Sequence, residues 1–244
     1  LRHADGGLER LTVPWLIGCD GAGSFVREAL GIGFAGGTSE GLFFVADVKT
    51  ERPNDDVHVG IGAETLATMM PVRTSGMQRL IGIVPDAAAR RGDVTFADVG
   101  PRAAQLLGTD VQEVNWFSTY KVHHRVADQF RAGRCFIAGD AGHIHSPVGG
   151  QGMNTGLGDA MNLGWKLGHV INGAAGTRIL DTYEPERIAF ARGLIASTDA
   201  TFQKMVADGW TARQLRLRVA PVLIRVITRF AITGRKLFEN VSQI

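Results

Sequence analysis

The chain has 244 residues, 45% hydrophobic and 20% charged, with a formal charge of +2, a size and mixture suited to one or two globular domains. So balanced a charge, with no basic run interleaved with aromatics, excludes nucleic acid as a partner. Two cysteines, Cys19 and Cys135, make no dense disulfide framework, and no signal peptide or bilayer-spanning apolar run is present, so a reducing, cytoplasmic setting is expected. The first residue is Leu1 rather than methionine, and the sequence reads as a piece of something longer.

Residues 1 to 20 read as a hairpin, turning at Asp5-Gly6-Gly7, followed by a continuous apolar run at Trp15-Leu16-Ile17-Gly18-Cys19 that predicts a buried strand. The strand ends at Asp20-Gly21-Ala22-Gly23-Ser24, and Ser24 is placed to cap a short helix carrying Val26, Arg27 and Leu30. Next, Gly31-Ile32-Gly33-Phe34-Ala35-Gly36 spells the G-x-G-x-x-G dinucleotide fingerprint. That fingerprint needs a strand before it and a helix after it. Here it follows a helix and leads into Gly37-Thr38-Ser39-Glu40-Gly41, so it reads as a flexible connection.

From Leu42 to about Ala127 the pattern changes to short strands: Leu42 to Val48, Val57 to Ile61, Thr65 to Pro71 and Met77 to Val84. Helices are expected at Pro85 to Arg91 and Phe96 to Leu107. Val111 to Val126 then alternates, with Val114, Trp116, Ser118, Tyr120 and Val122 on one face.

The most informative stretch runs from Arg134 to Leu167. A short apolar strand, Cys135-Phe136-Ile137-Ala138, leads into Gly139-Asp140-Ala141-Gly142-His143. After Pro147 comes the turn Val148-Gly149-Gly150-Gln151-Gly152-Met153-Asn154, then a helix with Asp159, Ala160, Asn162, Leu163, Trp165, Lys166 and Leu167. A carboxylate at a strand end accepts hydroxyl protons from a ribose or ribityl chain. Glycines let a flat or anionic ligand approach the backbone, and the free N–H groups of a helix N-terminus favour negative charge.

This stretch resembles the second flavin-binding motif of the FAD-dependent aromatic hydroxylases, the single-component monooxygenases related to p-hydroxybenzoate hydroxylase; it departs at Gly142, where the family prefers alanine. The resemblance implies that Gly139 and Asp140 hold the ribityl chain of FAD, and that Pro147 borders the substrate pocket. It also implies that the glycine-rich turn with Gly150 and Gly152 brings the N–H groups of Met153 and Asn154 to the flavin ring. The Asp20-Gly21 turn with Arg27 is similar to the family's other fingerprint, near the FAD pyrophosphate and ribose and implicated in NAD(P)H binding. Tyr183-Glu184-Pro185-Glu186-Arg187 resembles a further signature, one that opens a long helix.

Other chemistry is weaker. His123-His124 and His143-x-His145 suggest a metal pair, but the second falls in the flavin motif and no further ligand cluster accompanies it. A G-x-S-x-G hydrolase elbow is lacking. Residues 211 to 240 look helical and apolar in part; between Thr201 and Ile244 eight Lys/Arg face two acids, which suits a helix packed on the parent fold better than one on a membrane surface.

The expected fold is therefore α/β with an antiparallel-sheet substrate domain (α+β), a truncated p-hydroxybenzoate hydroxylase-like fold. Residues 1–41 and 128–175 are assigned to FAD binding, 42–127 to the substrate sheet, and 176–244 to C-terminal helices. Met69, Phe43, Trp116 and Tyr120 are candidates for the pocket lining, with core packing as the competing reading. The resemblance implies hydroxylation of a small aromatic or polyketide-type substrate with NAD(P)H and O2, through a C4a-hydroperoxyflavin. The alternatives are a non-catalytic or vestigial fragment, or another flavin-dependent dehydrogenase, epoxidase or halogenase.

Overall fold

The computed structural model describes residues 2–53, 55–62, 66–145 and 151–206. The basic segment at 211–240 lies outside them, as do Pro147 and Gly150. Two compact units divide the chain: residues 2–37 with 124–198, and residues 38–123 with the stretch from Asp199 onward.

The first unit opens with less regular structure than expected. The predicted hairpin amounts to one antiparallel bridge, Arg2 to Leu8. Strand β1 (Leu16–Gly18) comes next, then α1 (Phe25–Ala29), whose first turn is capped by Ser24 Oγ accepting from the Arg27 N–H at 3.0 Å. β1 is not buried as predicted: Leu16 and Ile17 are 43% and 42% exposed. Among the described residues β1 is an edge strand, hydrogen-bonded on one side alone.

β2 (Phe34–Thr50) then carries the chain into the second unit. The G-x-G-x-x-G segment is accordingly no flexible connection, since its last three residues and the glycines after them are strand. The glycines serve close backbone approach instead. Gly36 has φ +147°, and a Cβ there would lie 2.0 Å from the His124 carbonyl oxygen.

In the second unit β2 is succeeded by β3 (His58–Ile61), β4 (Leu66–Val72), β5 (Met77–Ile83), the short α2 (Asp86–Ala89), α3 (Phe96–Leu107) and β6 (Val111–Ala127). The strands pair in the order β3-β4-β5-β2-β6, with β2–β5, β3–β4 and β4–β5 antiparallel. α3 is started by Asp98, whose carboxylate accepts from the Thr95 N–H at 2.9 Å and hydroxyl at 2.7 Å.

Strand alternation sorts the sheet into two faces. Phe44, Ala46, Val48, Ala67, Met69 and Leu80 form one buried cluster with Val99 and Ala103 of α3, and Phe117 packs onto it. Phe43 and Tyr120 occupy the other face, their rings stacked 5.7 Å apart. Register makes the assignment firm: Met69 pairs with Leu80 and Leu80 with Ala46, while Phe43 pairs with Ile83. Met69 is therefore core beneath α3 and shares no surface with Phe43 or Tyr120.

The chain returns to the first unit through the end of β6, which pairs antiparallel with β9 (His143–Ile144). Before β9 come β7 (Arg131–Ala132) and β8 (Cys135–Ile137); β8 pairs parallel with β1 and antiparallel with β7. Helices α4 (Gly152–Ile171) and α5 (Tyr183–Val206) complete the described chain. Leu163 and Leu167 of α4, Leu180, and Tyr183, Ile188 and Ala191 of α5 close over Phe130, Phe136 and Ile137 as a second core.

Two glycine substitutions separate backbone strain from blocked space. Gly76 has φ +67° with nothing within 4 Å of an added Cβ, so Gly76→Ala is expected to cost about 1 kcal/mol. Gly36→Ala adds the collision with His124 and is expected to cost about 2 kcal/mol or more, read as the shift of the urea midpoint in the two variants.

Candidate functional site

Gly139 fixes the geometry at the end of β8. Its φ of +61° suits glycine, and its Cα lies 3.5 Å from where a Cβ on Gly156 would stand, an ordinary packing distance between strand end and helix α4. The 3-10 turn Gly139–Ala141 leaves Asp140 exposed. The Gly139 N–H points the other way, donating to Asp159 Oδ2 at 2.9 Å.

Asp159 lies on α4 with no exposed surface. Oδ2 also accepts from His143 Nε2–H at 2.6 Å, and Oδ1 accepts from Arg187 Nε–H at 2.6 Å. Burial pushes this carboxyl upward, but the hydrogen bonds from His143, Arg187 and Gly139, with the charge of His143, outweigh it and hold the group below the usual carboxylate range. Arg187 donates further to the Thr155 carbonyl at 3.2 Å, in the first turn of α4. His143 stacks against Phe130 at 5.8 Å. Phe130 in turn explains Gly142, where a Cβ would stand 3.2 Å from two atoms of that ring.

The segment that opens α5 ties back to the same region residue by residue. Tyr183 donates its hydroxyl to the Ile137 carbonyl at 2.9 Å, and burial raises its pKa. Glu184 accepts the N–H groups of Phe130 and Arg131 at 2.8 and 3.1 Å. Glu186 accepts from Lys166 and Asn162, each at 2.6 Å, and so satisfies a lysine that is only 1% exposed.

Of the residues singled out in the sequence, Asp20 sits at the end of β1 and accepts from Ser24 Oγ at 2.5 Å and from the Val26 N–H at 3.1 Å. Arg27 is buried: it lies 3.9 Å over the Phe34 ring and donates to the Ala141 carbonyl at 3.0 Å, joining α1 to the Asp140 turn. Gly21 takes φ +82° in the turn between β1 and α1. Gly152, Met153 and Asn154 form the first turn of α4, which holds no acid and, among the described residues, has no side-chain cap; Met153 and Asn154 are exposed.

His143, Asp159, Lys166 and Arg187 join these segments through buried hydrogen bonds, yet the motifs alone do not single them out as site residues. A signal for two of them exists in the sequence. Asp159 and Lys166 fall on the same stripe of α4 as Thr155, Leu163 and Leu167, so two charges sit on the buried face of a helix. Such charges imply partners. In this arrangement His143 presents its Nε2 to Asp159.

Comparison with known proteins places this geometry. The profile of a family described as FAD binding domain matches residues 1–198. The chain is 38% identical over 252 residues to 6-methylpretetramide 4-monooxygenase of Streptomyces rimosus, an alignment covering 98% of this chain and 42% of that protein. It is 35% identical over 214 residues to pentachlorophenol 4-monooxygenase of Sphingobium chlorophenolicum, covering 86% and 40%. Among solved structures, an aromatic hydroxylase from angucycline biosynthesis superposes with a TM-score of 0.73 at 32% identity, over 99% of this chain and 49% of that one. The anhydrotetracycline hydroxylase of Streptomyces rimosus gives 0.67 at 33%, over 94% and 46%. The chain thus spans about two fifths of the length of these curated relatives. It belongs to the FAD binding domain family, and its fold is that of the FAD-dependent hydroxylases.

Lys166 and Asn162 hold the Glu186 carboxyl down from 4.5 to about 2. A depressed carboxyl stabilises the fold fully above its unfolded value and loses that contribution as pH falls through the folded one, here between about 4.5 and about 2. Glu186→Gln removes the titrating group. Urea unfolding is expected to show wild type ahead of the variant near neutral pH, with the gap shrinking as pH drops through that window.

Proposed function

We propose that this chain is the working part of a FAD-dependent monooxygenase that hydroxylates an aromatic or polyketide-type substrate, using NAD(P)H and O2. The observation that carries the reading is the pairing, within the first unit, of an outward-facing carboxylate at Asp140 with the uncapped first turn of α4, both braced by Asp159. The relatives support it, being named as monooxygenases and hydroxylases, several of them of aromatic compounds. Free thiols at Cys19 and Cys135 agree with a reducing cytoplasm as its compartment.

The residues fit the cofactor. Asp140, exposed on the turn after β8, accepts hydroxyls of the ribityl chain. Asp20 stands at the end of β1 for the ribose and pyrophosphate side, its carboxylate kept charged: burial opposes this, and hydrogen bonds from Ser24 and Val26 outweigh it. The N–H groups of Met153 and Asn154, with Gly152, stabilise negative charge at the ring. Pro147 and Gly150 are assigned to the same cofactor site by the motif in this reading. Bound FAD supplies the redox chemistry. In the balance, one oxygen of O2 enters a ring C–H bond as hydroxyl and the other leaves as water, with two electrons from NAD(P)H and a proton from solvent.

The sheet face turned away from α3 supplies the substrate surface in this proposal. Phe43 and Tyr120 offer stacked rings, and Asp47 and Arg79 add a bidentate ion pair at 2.8 and 2.9 Å on the same face. Tyr120 has its phenol pushed up by burial and stays a neutral hydrogen-bond donor.

The test is titration of the purified chain with FAD, monitored by flavin fluorescence and visible absorbance. Wild type is expected to bind, and Asp140→Ala to bind about ten-fold more weakly, the scale of one good hydrogen bond to a charged group. A wild-type chain with no affinity for FAD would sink the enzyme reading and leave a non-catalytic fragment. Where FAD binds, NAD(P)H oxidation against a panel of phenols is the next assay.

A further inference from the structure

We propose that Asp159 is a positioning residue of the cofactor site, setting Asp140 and the first turn of α4 relative to each other without touching the cofactor; the proposal rests on the FAD reading above. Asp159 has no exposed surface, so it acts through its partners. Those partners come from three separate stretches: the Gly139 N–H immediately before Asp140, His143 on β9, and Arg187 on α5. Arg187 then reaches the Thr155 carbonyl, the residue after Asn154. One carboxylate therefore stands between the two backbone segments that the flavin reading places against the ligand.

The choice of a charge here is informative. Apolar side chains of similar volume replace a buried ion network at little or no cost to stability, so stability alone does not call for one. Hydrogen bonds add direction. Without an acceptor behind it, the Gly139 N–H is released, the peptide before Gly139 is free to rotate, and Asp140 turns with it. Loss of the Arg187 contact likewise removes the tie between α5 and the Thr155 carbonyl at the start of α4.

The experiment is a double-mutant cycle in the full chain: Asp159→Asn, Asp140→Ala and both together, each titrated with FAD. Each single change is expected to weaken binding about ten-fold, and the pair no more than about the weaker single variant, since Asp159 works through Asp140 and its turn. Independent factors that multiply in the double variant would overturn the proposal. His143→Gln keeps an N–H near the Nε2 position and is expected to hold FAD within about three-fold of wild type, whereas His143→Ala is not.

Hydrogen exchange without FAD supplies the second readout. In Asp159→Asn, faster exchange is expected at residues 139–143 and 155–158, with β4 and β5 unchanged. Uniformly faster exchange through the first unit would mean general loosening and overturn the proposal. If wild type binds no FAD, the cofactor reading fails on its own, and the exchange pattern still decides whether Asp159 joins the two segments.

Discussion

A carboxylate with no exposed surface must be answered by donors, and the first unit is arranged so that Asp159 meets three. Desolvating such a charge costs several kcal/mol, and breaking a buried pair by removing one partner costs about 3–5 kcal/mol. Each donor is therefore held to its place by more than its own packing. The turn after β8 and the strand β9 precede α4 in the sequence and the helix α5 follows it, and the one side chain on α4 binds all three. Around that point the apolar core of Phe130, Phe136, Tyr183 and Leu163 excludes water and strengthens every one of these bonds.

The second unit obeys a simpler rule. Strand alternation sends Phe44 and its neighbours under α3 and Phe43 to the opposite face. The same alternation divides its charges. Asp47 and Arg79 pair on the face of Phe43, and none of the buried cluster beneath α3 is ionisable. One face packs under α3, and the other sets an ion pair beside aromatic rings.

Much of this is legible in the sequence, because it is written in local rules. The boundaries of α3 come from a helical stretch opening at Thr95 with Asp98 three residues on and closing at Gly108. The strands of the sheet come from β-rich runs separated by turns, and the Gly139-Asp140 turn from its motif. The features that escape a sequence reading depend on distance in the chain. G-x-G-x-x-G is visibly no cofactor loop, but its real service, letting β2 pass the His124 carbonyl, needs a partner strand some ninety positions away. Met69 groups with Phe43 on hydrophobicity alone, which says nothing of register. His143 suggests half of a metal pair, since a histidine two residues from another is visible and an aspartate across a helix is not.

Gly142 and Phe130 constrain each other's substitution. The ring fills the space that a methyl group at 142 would enter, and it is itself wedged between His143 and Tyr183. Neither position is free to change first without penalty in one direction: alanine at 142 demands a smaller or shifted ring, while a smaller ring leaves a hole beside a bare glycine. The two sites are coupled, and the effect of a methyl group at 142 is decided by whether the Phe130 ring gives by a few tenths of an ångström.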